Sequence, residues 1–191
     1  MMKLFSFLAV FSSRIKLLTL LNLAFFSCVL VSTMVLDLSL PPEYYWGPMF
    51  PQLQEAYGEG LALVVNIFLL NLVLSSFIII TLPGFAFFPL SGFLLLYRAS
   101  LWGTMLHYQP NSVLLCALPT LIVEGEAYVL AALAGTIVGV SWVKTKWVYA
   151  EEAVTRSAAI RKSVKECLVI YLVVVLLLFI GAIVETATLL V

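Results

Sequence analysis

Charge is scarce in this 191-residue chain. Ten Lys or Arg and ten Asp or Glu make up 10% of it, where soluble domains carry roughly a quarter. A water-exposed surface of ordinary size cannot be clothed with so few charges, and no basic face suited to nucleic acid is present. There is one histidine, His107, so paired imidazole ligands and an HExxH zinc motif are excluded. The three cysteines, Cys28, Cys116 and Cys167, are scattered at no metal-ligand spacing and are odd in number, which argues against a zinc site or a disulfide framework. Neither a Gly-x-Ser-x-Gly elbow nor a Walker loop occurs. No enzyme, metal or cofactor is expected, and active transport would need a separate ATPase or an ion gradient.

What the chain has instead is apolar length: 63% of residues are hydrophobic and the mean hydropathy is +1.14. A helix crosses about 30 Å of hydrocarbon with roughly 20 apolar residues. Hydropathy, punctuated by Pro, Gly and charge, predicts an all-α polytopic bundle forming a single membrane domain, 1–191, with five spans at 16–36, 61–82, 85–106, 113–140 and 167–190. Residues 1–15 read as an interfacial helix rather than a cleaved signal, because Arg14 and Lys16 interrupt the first apolar run. Pro83, Gly84, Pro89 and Gly92 suggest that the third span is broken or re-entrant, which would raise the count to six.

The distribution of cations sets the expected orientation. Nine of the ten lie before the first span or in the basic segment 141–166, whereas 37–60 contains four acids and no Lys or Arg. The positive-inside rule then places the amino terminus and 141–166 in the cytoplasm of a plasma-membrane protein, and 37–60 and the carboxyl terminus outside. Within 141–166, the pairs Glu152–Arg156 and Lys162–Glu166 have helical i, i+4 spacing, and the cations would attract anionic headgroups or a cytoplasmic partner. Tyr44, Tyr45 and Trp46 suit an interfacial belt or an extracytoplasmic docking surface.

The chemistry of greatest interest lies inside the spans. A charged side chain near a bilayer centre costs several kcal/mol unless compensated, yet Asn66, Asn71, Arg98, Glu124, Glu126 and Glu185 all fall within apolar segments. Their expected depths, about 8–16 Å from one end at 1.5 Å per residue, place them in the same outer half. Pro119, about one turn before Glu124, is expected to break its helix and free a carbonyl there. Two readings stay open. One is an Arg98 pair with Glu124 or Glu126 that fixes helix register, with the asparagines as interhelical glue; the other is a polar transport site. Ala131, Ala132, Ala134, Gly135 and Gly139 favour close helix approach.

These residues carry a resemblance. The run LPTLIVEGEAYVLAALAGTIVG resembles the signature of the stage II sporulation protein M family, with Pro119, Glu124, Ala127 and Gly135 at its proline, glutamate and small positions. Asn71, the 97–103 stretch and Glu185 match further elements, so the likeness covers 61–191. Thr120, Leu121 and Arg98 stand where that family has histidine, glycine and asparagine. The resemblance implies a polytopic plasma-membrane protein. Its sporulation member is associated with septal peptidoglycan remodelling, and other members lie in organisms that do not sporulate. The expected role is a scaffold or assembly subunit of a larger envelope complex, with protein partners or a second copy of itself; the alternative is a small permease or transport subunit.

The orientation is testable by labelling. A Gln54→Cys variant should react with a membrane-impermeant thiol reagent in intact cells and a Ser157→Cys variant should not; the reverse pattern overturns it.

Overall fold

The computed structural model describes residues 2–35, 60–107, 111–149 and 155–189, and all of its regular structure is helical. The elements are α1 (Met2–Val35), α2 (Leu61–Leu69), a π-helical stretch (Leu70–Thr81), α3 (Leu82–Ala86), α4 (Pro89–His107), α5 (Asn111–Val143), α6 (Thr145–Val148) and α7 (Arg156–Leu189). Four helical segments are long and apolar enough to cross a membrane: Val10–Val35, Leu61–Ala86, Ala117–Val143 and Arg156–Ala187. Tyr44, Tyr45, Trp46 and Glu152 lie outside the described residues.

Several local expectations are revised. The helix α1 runs without interruption through Ser12, Ser13 and Arg14, so the first residues and the first apolar segment share one rod. Proline punctuation acts later than the sequence suggests. Pro83 and Gly84 lie inside α3, which continues the second segment, and the chain turns only at Phe87, with φ −144° and ψ 103°. A proline normally clashes with the carbonyl four residues before it. Here the preceding coil is π-helical, and the N–H of Leu82 bonds to Phe77 O, so the carbonyls are offset by one position and the ring is accommodated. Pro89 is the first residue of α4, where a missing N–H costs nothing, and α4 is one continuous 19-residue helix, not a broken one. Likewise Pro119 lies within α5, which continues through it. The expected basic loop is largely helical, since α7 begins at Arg156 and carries straight into the last apolar segment.

Contacts fix the relative directions of the helices. Thr33 Oγ1 bonds to Gly103 O at 3.1 Å and Cys28 Sγ to Leu96 O at 3.5 Å, so α1 and α4 run parallel. Ser163 bonds to Ser141 at 2.9 Å, while Gly181 lies against Glu124 near the other end, so α5 and α7 are antiparallel. Thr81 Oγ1 meets both Ala131 O at 2.9 Å and the Tyr171 hydroxyl at 2.6 Å, tying the second segment between them.

The helix α5 is the axis of the bundle: 78% of its apolar window is buried, against 17–33% for the other three. Its run from Ala127 to Ala134 is buried on every side, which is why it reads as small and apolar all round rather than as a stripe. Among the glycines of α5 the approach is closest at Gly139, where a Cβ would run into the carbonyl oxygen of Gly84. Gly92 has no neighbour within 4 Å of that position. Gly139→Ala should therefore cost about 1–3 kcal/mol as overpacking and lower the melting temperature in detergent, while Gly92→Ala should leave it unchanged or raise it. Equal melting temperatures for the two variants would refute the close contact.

Candidate functional site

The polar site is built on the Glu124 face of α5. Residues four apart share a helix face, so Thr120, Glu124 and Tyr128 form one column. Glu124 is only 2% exposed. Asn71 Nδ2, from the π-helical stretch, donates to Glu124 Oε1 at 2.9 Å, and the hydroxyl of Tyr128 reaches Glu124 Oε2 at 3.4 Å. Tyr128 in turn accepts from Arg98 Nη2 on α4 at 3.3 Å, and the guanidinium sits 5.2 Å from the centre of its ring. Glu185 of α7 stands with its carboxyl against that of Glu124.

Two features of the backbone make room for this. At Gly181 of α7 a Cβ would lie 2.7 Å from Glu124 Cγ, so a side chain there would displace the acid. In the π-helical stretch, the Asn71 carbonyl accepts from Ser76 Oγ, five residues on, at 2.8 Å. The widened turn thus keeps its own polar groups satisfied beside the site.

The structure brings together Asn71, Arg98, Glu124 and Glu185 from four different helical elements, the π-helical stretch, α4, α5 and α7. Glu126, two positions along and about 200° around α5, turns away toward Asn22 of α1 and is half-buried. Asn66 is half-buried on α2, five residues before Asn71. Arg98 forms no ion pair with Glu124 or Glu126, the two partners the sequence offered, among the described residues; it reaches Glu124 through a relay by Tyr128. The reason is reach: Tyr128 lies between the two and offers Arg98 both a hydroxyl and a ring face. Tyr128 was missed in sequence because an aromatic in an apolar helix reads as packing, although its spacing of four from Glu124 was a signal. Two buried polar atoms at this level, Arg98 Nε and Thr120 Oγ1, have no hydrogen-bond partner among the described residues.

A second polar cluster closes the opposite end of the bundle. Arg14 of α1 forms an ion pair with Glu166 of α7 at 3.1 Å and donates to Val148 O at 2.9 Å. The Tyr149 hydroxyl donates to Glu166 Oε1 at 3.1 Å. Burial, reinforced by the Glu166 carboxylate beside it, pushes the Tyr149 hydroxyl well above its usual range, so it stays a donor. Lys162 lies 4.6 Å from the centre of the Tyr149 ring. Glu166 thus takes Arg14 as its ion-pair partner, across 152 positions of chain, where helical spacing had pointed to Lys162. The contact also puts the two basic regions, amino-terminal and 144–165, at one end of the bundle. Glu124 lies 17 residues before Ser141 on α5, or about 26 Å from the level of that end.

His107 ends α4 and its Nδ1 lies 2.8 Å from Thr33 O. Among the described residues, no group of three or more His, Cys, Asp or Glu is placed to hold a metal ion.

The family profile of stage II sporulation protein M matches residues 17–188. The match starts at the first apolar segment, well before the 61–191 stretch in which the resemblance was read. No curated protein and no solved structure matches the chain significantly.

Proposed function

The chain belongs to the stage II sporulation protein M family, and from that membership we propose that it is a non-enzymatic multi-pass protein of the plasma membrane, serving as a scaffold or assembly subunit of a larger envelope complex. In this reading α4 is a fifth crossing, parallel to α1 and shielded by it, which tolerates Arg98 because the charge is turned inward toward Tyr128. The cation-rich end that holds Arg14 and Lys144 is cytoplasmic, which leaves the amino terminus inside and the carboxyl terminus outside. Protein partners or a second copy then bind the surfaces of this rigid bundle.

The observation that carries the proposal is the state of Glu124. It is enclosed on all sides and already engaged by Asn71 and Tyr128, which suits a group that joins helices better than one that must meet a substrate. The transport reading draws on one observation of its own, the unpartnered Thr120 hydroxyl and Arg98 Nε beside the acids. Such buried polar atoms are costly and often mark function.

Tagged protein purified from its native membrane in mild detergent should bring down an envelope protein in stoichiometric amount. Glu124→Gln should keep both that partner and the cellular phenotype, because the amide preserves shape and can still accept from Asn71. Loss of the phenotype with expression and partner intact would overturn the scaffold reading in favour of transport.

A further inference from the structure

The parallel pair α1 and α4 leaves an open groove of ≈ 330 Å³ whose lining is wholly apolar. Leu20, Leu21 and Ala24 form one wall and Gly92, Phe93 and Leu96 the other. The floor is packed, with Leu95 completely buried, while Gly92 leaves empty space where a side chain would stand. The α4 wall runs from Pro89 to Leu96, about 10 Å along the helix. A slot of this length, without polar groups and open on one side, suits a flexible hydrocarbon chain.

One end of the groove is marked by charge. On α1, Leu20 lies one turn from Lys16, which is exposed and on the same face. On the other side, the wall begins at Pro89, next to Phe88. The Phe88 ring packs against Trp147 with centroids 6.4 Å apart, and Lys144 Nζ lies 3.7 Å from the centre of the same indole. Trp147 is 65% exposed, as expected of an indole at headgroup depth. Arg14, at the same end, is already engaged by Glu166 and Val148 O. Lys16, four positions before Leu20, and Lys144, through Trp147 and Phe88, thus stand toward the same end of the apolar slot, at the level where a phosphate would lie.

We propose that this groove holds one acyl chain of an anionic phospholipid, with its phosphate placed between Lys16 and Lys144. The inference rests on the membrane reading alone and is independent of any scaffold role. Near a membrane surface each cation contributes roughly fivefold to the retention of an anionic lipid, so two lysines give selectivity over a zwitterionic lipid of the same chains. The apolar slot supplies the position.

Native mass spectrometry of the intact protein in detergent, titrated separately with dioleoyl phosphatidylglycerol and dioleoyl phosphatidylcholine, reads the site directly. The wild type should retain phosphatidylglycerol preferentially. Lys16→Gln and Lys144→Gln should each weaken that retention about fivefold without changing retention of phosphatidylcholine. Gly92→Leu, which fills the slot at a position with open space around it, should abolish retention while leaving the melting temperature intact; if that variant fails to fold, the two lysine variants decide. Equal retention of both lipids by the wild type, or retention unaffected by the lysine variants, overturns the proposal. So does a Gly92→Leu variant that changes oligomeric mass instead of lipid content, which would assign the groove to a second copy of the chain.

Discussion

A carboxyl group cannot be left bare among aliphatic side chains, and the arrangement of this bundle around Glu124 follows from that constraint. Removing such a group from water costs several kcal/mol unless donors replace the lost solvent. The donors come from different parts of the chain: the amide of Asn71 from the second segment, the hydroxyl of Tyr128 from α5 itself, and behind it the guanidinium of Arg98 from α4. Glu185 brings in α7. Helix packing in lipid has little hydrophobic driving force, so a polar group whose partners exist in only one register is a strong device for specifying that register.

The remaining packing serves the same end. The small residues of α5 let its neighbours approach closely, and Gly181 provides the space that the Glu124 side chain occupies. Asn71 and Thr81, at either end of the π-helical stretch, both reach α5, and the widened coil lets the helix pass Pro83 before turning at Phe87. At the far end, Arg14, Glu166 and Tyr149 tie α1 to α7. The bundle is thus pinned at two levels, and the apolar length between them is free to pack.

Much of this was legible in the sequence. Apolar runs mark the helices because hydrocarbon demands it, and the concentration of nine cations in two regions predicted a shared end, which the Arg14–Glu166 contact bears out as geometry. Depth grouped Asn66, Asn71, Arg98, Glu124, Glu126 and Glu185, of which Asn71, Arg98, Glu124 and Glu185 meet, and the opposite faces of Glu124 and Glu126 follow from helical periodicity. What could not be read were details set by tertiary context. Pro83 and Pro119 look like breaks, but a widened coil absorbs the first and α5 runs on through the second. The i, i+4 pair Lys162–Glu166 was the obvious local choice, yet Arg14 from the far end of the chain takes the acid because folding brings its long side chain within reach of Glu166. Tyr128 as intermediary depends on where α4 places Arg98, which no local pattern encodes.

The central claim is that Arg98 and Glu124 are energetically linked across Tyr128, and a double-mutant cycle measures that link most directly. Unfolding of Arg98→Met, Glu124→Gln and the double variant should be followed in detergent. Arg98→Met alone should cost about 1–3 kcal/mol, because it strips a buried hydrogen-bond partner from the relay. Adding Glu124→Gln should recover part of that loss, giving a coupling energy of about 0.5–3 kcal/mol. Strictly additive effects would contradict the account and leave Arg98 and Glu124 as independent buried groups.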